Sequence, residues 1–154
     1  MLLLTASILA QAAAPMTMPM DQPEPVCVRA GDLPPAFANW NAAPRKTVML
    51  AWPVVMTARP AAKVKWAAPA GKPGSGAVVR FTITAPGTYQ VGLSNGAWID
   101  LVSKGNVVIS SGHGHGPLCT GLRKIVDFKL VRGRYALQLA GMPAAETTVM
   151  VVRK

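Results

Sequence analysis

The sequence predicts an all-β protein, an antiparallel sandwich or barrel, and three observations carry that prediction. From Thr47 onward, apolar and polar residues alternate with period two in a series of short runs. The 154 residues include 14 glycines and 14 prolines, so turns are frequent and long helices are disfavoured. Apolar residues make up 51% of the chain and charged residues 14%, which provides one ordinary core and excludes a highly charged disordered chain.

Each run reads as a strand in turn. The apolar run 48–56 is interrupted by Pro53, which fits an edge strand or a bulge because proline has no N–H for the ladder. "KVKWA" (63–67) sets Lys63 and Lys65 against Val64 and Trp66, one wet face and one dry face. "VVRFTIT" (78–84) puts Val79, Phe81 and Ile83 on one face, and "TYQVGLS" (88–94) does the same with Tyr89, Val91 and Leu93. Asn95-Gly96 then reads as a two-residue hairpin turn, since both residue types accept positive φ, and "AWIDLVS" (97–103) follows it. "NVVIS", "IVDFKL", "RYALQLA" and "TTVMVV" complete the set. Two segments echo each other. "FTITAPGTYQVGL" (81–93) and "FKLVRGRYALQL" (128–139) share Phe, an aliphatic residue, then Gly-x-Tyr-x-aliphatic-x-Leu, and each reads as a hairpin.

The N-terminus predicts export. "MLLLTASILAQAAAP" is uncharged and apolar, with Ala10-Gln11-Ala12 matching a signal-peptidase site, so residues 1–14 are expected to be a signal peptide. The run is too short to span a bilayer, which takes about 20 apolar residues. Residues 15–26, "PMTMPMDQPEPV", are expected to be an extended, flexible tail with no ligand role; Met16, Met18 and Met20 as soft thioethers suited to copper are the alternative. An exported chain sits in an oxidising compartment, periplasmic or secreted, where Cys27 and Cys119 are expected to pair; two buried free thiols are the alternative. The formal charge of +10 favours anionic partners such as an envelope component. Its bases fall in ones and twos, as in "PRKT", "KVKW", "LRKI" and "RGRY", with no basic and aromatic stripe to signal nucleic acid.

Two resemblances add to this. Residues 78–152 are similar to jelly-roll carbohydrate-binding modules and to β-sandwich domains appended to secreted peptidases, which implies a jelly-roll-like antiparallel sandwich as a single domain over 27–154. The segments "GAWID" and "HGHGPLCTGLRK" resemble a family of short exported bacterial β-sandwich proteins of unknown function, some of which bear the name homogentisate 1,2-dioxygenase. That name implies a cupin iron site of two His and one Glu. His113-Gly114-His115 matches the opening H-x-H, but Cys119 and Thr120 stand where the Glu belongs, and no His follows His115. The ligand set of a non-heme iron dioxygenase is therefore incomplete.

Both histidines of the chain lie in "GHGHG" (112–116), where extended backbone projects both rings from one face. They are the candidate ligands for copper or zinc, which needs at least one further donor, and Asp127 or Asp100 is the candidate. Cys119 competes, because a bridged cysteine cannot bind metal. Trp98 alternates away from Ile99 and Leu101, and is either a sugar platform or part of the second sheet's core. No serine elbow, paired carboxylates or phosphate loop is present. The expected function is thus an exported, non-catalytic sandwich that binds a ligand or partner at the cell envelope, carbohydrate or an anionic component. A periplasmic metal-binding protein using His113 and His115 is the alternative.

Overall fold

All but one of the period-two runs become strands, and with the histidine segment they make nine in a computed structural model, which describes Cys27 and residues 31–154. The expected signal peptide (1–14) and the Pro/Met-rich segment (15–26) lie outside the described residues. The strands are β1 (Pro53–Thr57), β2 (Gly76–Ile83), β3 (Gly87–Leu93), β4 (Trp98–Ser103), β5 (Asn106–Val108), β6 (Gly112–His115), β7 (Lys124–Leu130), β8 (Gly133–Ala140) and β9 (Glu146–Arg153). Short 3-10 turns cover Pro35–Phe37 and Ala61–Lys63.

The pairing is that of one long hairpin rolled up: β1 with β9, β2 with β8, β3 with β7 and β4 with β5, all antiparallel. Rolling distributes these pairs between two sheets, β1-β9-β3-β7-β6 and β2-β8-β4-β5. This is jelly-roll connectivity with β6 added at one edge. Pro53 opens the edge strand β1, where its missing N–H costs no ladder bond. The main core lies between the sheets and contains Phe81, Ile83, Tyr89, Val91, Leu93, Leu101, Phe128, Leu137 and Val149, inward positions of both.

Three local expectations are corrected. Asn95-Gly96 is not a hairpin turn, because β3 and β4 lie in different sheets. Asn95 braces that crossing instead: its Nδ2–H donates to Thr147 Oγ1 at 2.7 Å, and its Oδ1 accepts from the Ala97 N–H at 3.0 Å. The two-residue turn falls at Lys104-Gly105, with φ of 51° and 78°, joining β4 to β5.

The echoed segments are not hairpins either. They pair with each other, so that Phe81 faces Tyr135 across β2·β8 and Tyr89 faces Phe128 across β3·β7. Each tyrosine closes a corner where the chain changes sheet. The Tyr89 hydroxyl donates to Ala85 O at 2.8 Å and the Tyr135 hydroxyl to Val131 O at 2.9 Å, both four residues upstream. Tyr135→Phe removes that bond from a buried ring and is expected to cost about 1 kcal/mol by chemical denaturation. An unchanged midpoint would show that the corner holds without it.

"KVKWA" is the third correction. Its alternation survives, with Lys63 and Lys65 exposed and Val64 and Trp66 half-buried, but it forms no strand. The N–H groups of Ala67 and Ala68 donate to the Gln138 side chain, at 3.1 and 3.3 Å, and not to a neighbouring strand. Residues 64–72 therefore lie as a cover on the outer face of β4 and β8, packing Ala68 on Val102 and Ala136. Residues 33–51 cover the other sheet, where Phe37 and Trp40 pack with Leu122, Met150 and Val152. The covers explain why β8 and β9 are buried on both faces and read as nearly continuous apolar runs.

Candidate functional site

Cys27 and Cys119 form a disulfide, with Cα atoms 5.5 Å apart and a sequence separation of 92. The bridge is compatible with an oxidising compartment. Among the described residues, no helix is long and apolar enough to cross a membrane. Cys119 belongs to a tight loop after β6. Its φ is 63°, the Thr120 hydroxyl donates to Pro117 O at 2.7 Å, and the Gly31 N–H donates to Leu118 O at 2.9 Å. The opening half of "GHGHGPLCTG" is thus an edge strand and the closing half a pinned turn.

The two imidazoles are exposed, and their register sets them on one face of β6. His113 lies opposite Val126 and His115 opposite Lys124, the inward-facing series of β7. Asp127 pairs with Gly112 and so points to the other face. There it accepts from Gln90 Nε2 at 2.9 Å and forms an ion pair with Lys154 at 2.7 Å. Burial acts to raise the Asp127 carboxyl, and the Lys154 and Gln90 bonds more than offset this, leaving it below its ordinary value. Asp100 is also engaged elsewhere. It is 7% exposed and accepts from Gly71 N–H, Trp98 Nε1–H and Gln138 Nε2–H. Asp127 is carried away from the histidines, whereas Asp100 lines the same cleft as His113 with its oxygens already engaged by these donors, and among the described residues no three His, Cys, Asp or Glu side chains form a metal-binding group.

The fold brings His113 together with Trp98. Both line a cleft of about 460 Å³ at the end of the sandwich, where β4, β5, β6 and β7 meet, along with Val107, Ile109, Ser110 and Lys124. Trp98 is 46% exposed, not part of a second core. Its orientation is set from below. The fully buried Gln138 amide donates to Ala68 O and to Asp100, and Asp100 in turn holds the indole N–H at 2.9 Å. The backbone at Gly71 packs directly against the indole, so closely that any Cβ there would overlap it. One flank of the ring is covered and the rest opens to the cleft.

Lys124 completes the site and was not singled out in the sequence. It occupies an inward position of β7, in series with Val126 and Phe128, and a lysine in such a register was the available signal. Its Nζ donates to Ala97 O at 3.0 Å and lies 5.9 Å from the Trp98 ring centroid, within cation–π range. Burial, and then the neighbouring Lys72, lower its pKa from the ordinary lysine value. His115 opens instead to a separate cleft of about 520 Å³, beside Pro117, Leu118 and the disulfide. An aromatic ring in fixed orientation beside a cation and an imidazole can stack a sugar ring and hydrogen-bond its substituents. The chain matches no protein-family model and no curated protein.

Proposed function

We propose that this is an exported, non-catalytic binding module of the cell envelope, with its ligand seat in the end cleft of Trp98, His113 and Lys124. The observation that carries this reading is the half-exposed Trp98 ring, fixed by Asp100 and Gln138 and flanked by Lys124. A buried polar network that holds a ring open to water does more for recognition than for packing. The "MLLLTASILAQAAAP" leader and the disulfide support export. A saccharide of the envelope is the ligand class, since indole stacks on the apolar face of a sugar ring while Lys124, His113 and Ser110 offer polar contacts.

The test is co-sedimentation with purified peptidoglycan and with lipopolysaccharide vesicles, comparing wild type, Trp98→Ala and Trp98→Phe. Loss of a central aromatic anchor is expected to weaken binding about tenfold or more in Trp98→Ala, with Trp98→Phe in between. Equal sedimentation of all three would remove the cleft as the seat.

A second reading rests on the shared face of His113 and His115. Two imidazoles can contribute to a copper or zinc site, with the remaining donors coming from outside the described residues or from a second copy. His113→Ala combined with His115→Ala is expected to abolish zinc and copper binding in calorimetry while stability stays within about 0.5 kcal/mol, since both side chains are exposed. Metal binding that survived the double substitution would end this reading.

A further inference from the structure

The bases that are scattered along the sequence do not stay scattered in the fold. Strand register and the cover segment gather six of them on the side of the molecule formed by β2, β8 and the start of the cover. Arg59, Lys63 and Lys65 line a cleft of about 350 Å³ with Arg80 on β2. Arg80 also lines the adjoining cleft of about 430 Å³, together with Lys104 and Arg134. The two clefts share Arg80 and so form one continuous stripe. Register explains the second half: Thr82 faces Arg134 and Arg80 faces Ala136, so Arg80 and Arg134 are diagonal neighbours on adjacent strands, about 7–8 Å apart. Lys104 extends the row, since Val102 pairs with Ala136 and the Lys104-Gly105 turn projects beyond that pair.

All six side chains belong to exposed residues. Among the described residues, the single ion pair is Lys154 with Asp127, so none of the six is neutralised by a carboxylate. Like charges collected without counter-charges repel, and that cost is offset when an external anion binds between them. We propose that this stripe binds an acidic polysaccharide, a linear chain carrying repeated carboxylate, sulfate or phosphate groups, separately from the Trp98 cleft. A row of cations spaced by adjacent strands fits repeated charges along a polymer better than one small anion. A polysaccharide fits better than a nucleic acid, because Phe81 and Tyr135 in the clefts are buried and Trp66 beside Lys65 is half-buried with its ring edge against Gly76, so the stripe offers no row of open aromatic faces for base stacking. The disulfide also fits a compartment where such polymers occur.

The experiment measures binding of alginate, a polyuronate, to the full chain by calorimetry at several salt concentrations. Neutral dextran and a single-stranded DNA oligonucleotide are run alongside. The variant removes three stripe charges, Arg80→Gln, Lys104→Gln and Arg134→Gln. A control of equal net charge removes three elsewhere, Lys46→Gln, Lys129→Gln and Arg132→Gln. The single variant Arg134→Glu gives the same readout should the triple variant unfold. The expected result is alginate binding that weakens linearly with log salt and falls about tenfold or more in the stripe variant, with the control near wild type. Equal losses in stripe and control variants would reduce the effect to net charge and overturn the proposal. So would dextran binding as well as alginate in the Trp98→Ala variant, DNA binding more tightly than alginate, or no alginate binding at all. Repeating the stripe and control titrations in a Trp98→Ala background takes out the end cleft, so failure of the stripe and failure of the cleft are read separately.

Discussion

Removing the disulfide by Cys27→Ser with Cys119→Ser is expected to destabilise the protein by about 4 kcal/mol, which corresponds to a fall in Tm of roughly 10 °C. The two sulfurs join positions 92 residues apart, so the bridge closes most of the chain into one loop. In the loop-entropy account, the cost of closure grows slowly with length and reaches about 4–5 kcal/mol for a loop of this size. The native state itself changes little. Cys27 is exposed, and the sandwich core between the sheets involves neither cysteine. The effect therefore acts through the unfolded chain, and should appear as an earlier denaturation midpoint with a modest change in slope. Reductant should reproduce it in wild type and leave the double variant untouched. Identical midpoints for wild type and variant would show that the bridge is not formed in the folded protein.

The second large effect separates the three glycines of "GHGHG". A Cβ on Gly114 would meet nothing within 4 Å, and one on Gly112 would make only ordinary contact with Asp127. A Cβ on Gly116 would overlap the carbonyl group of Leu122, which is backbone and cannot rotate away. That close approach is fixed from the other side by the Gly116 N–H, which donates to Arg123 O at 3.2 Å. Gly116→Ala must therefore displace the Leu122–Arg123 segment, and with it the fully buried Leu122 beneath Phe37 and Trp40. The expected cost is about 3 kcal/mol or more. Gly114→Ala is expected to be neutral or to stabilise by about 0.5 kcal/mol, because alanine restricts the unfolded chain. Urea denaturation of the three alanine variants tests this ordering. Equal effects at Gly114 and Gly116 would contradict the packed turn.

How legible each feature was follows from the range over which its cause acts. Alternation within one strand is local, so β2, β3, β4, β7, β8 and β9 were readable from Phe81, Tyr89, Ile99 and their neighbours. Pairing is not local. Asn95-Gly96 has the composition of a hairpin turn, but β3 finds its partners in β7 and β9, and nothing within seven residues announces that. The same holds for the Tyr89 and Tyr135 segments, whose likeness reflects mutual pairing across the roll and not two hairpins. "KVKWA" failed as a strand for a chemical reason, since the Gln138 side chain supplies the acceptor that a neighbouring strand would have supplied.

The site divides in the same way. Trp98, His113 and the cysteine pair were visible as residue types with few ordinary roles at those positions. Asp100 and Asp127 were visible too, but their parity relative to His113 depends on register between strands, and register sends Asp127 to the opposite face. Lys124 was hidden among ordinary surface bases. Only the inward series Lys124, Val126, Phe128 marks it, and that series acquires meaning once the sheet is known to end there.

A ligand that enters the end cleft must meet the Trp98 indole. The most direct measurement is a two-dimensional 15N NMR titration with soluble saccharides released from a purified bacterial envelope, following the Trp98 indole N–H and the backbone amides. Saturable shifts of that indole signal and of amides around Ile109, His113 and Lys124 are expected, absent in Trp98→Ala. Shifts confined to the separate cleft at His115 and Leu118, or a Trp98 signal that never moves, would contradict binding in the end cleft.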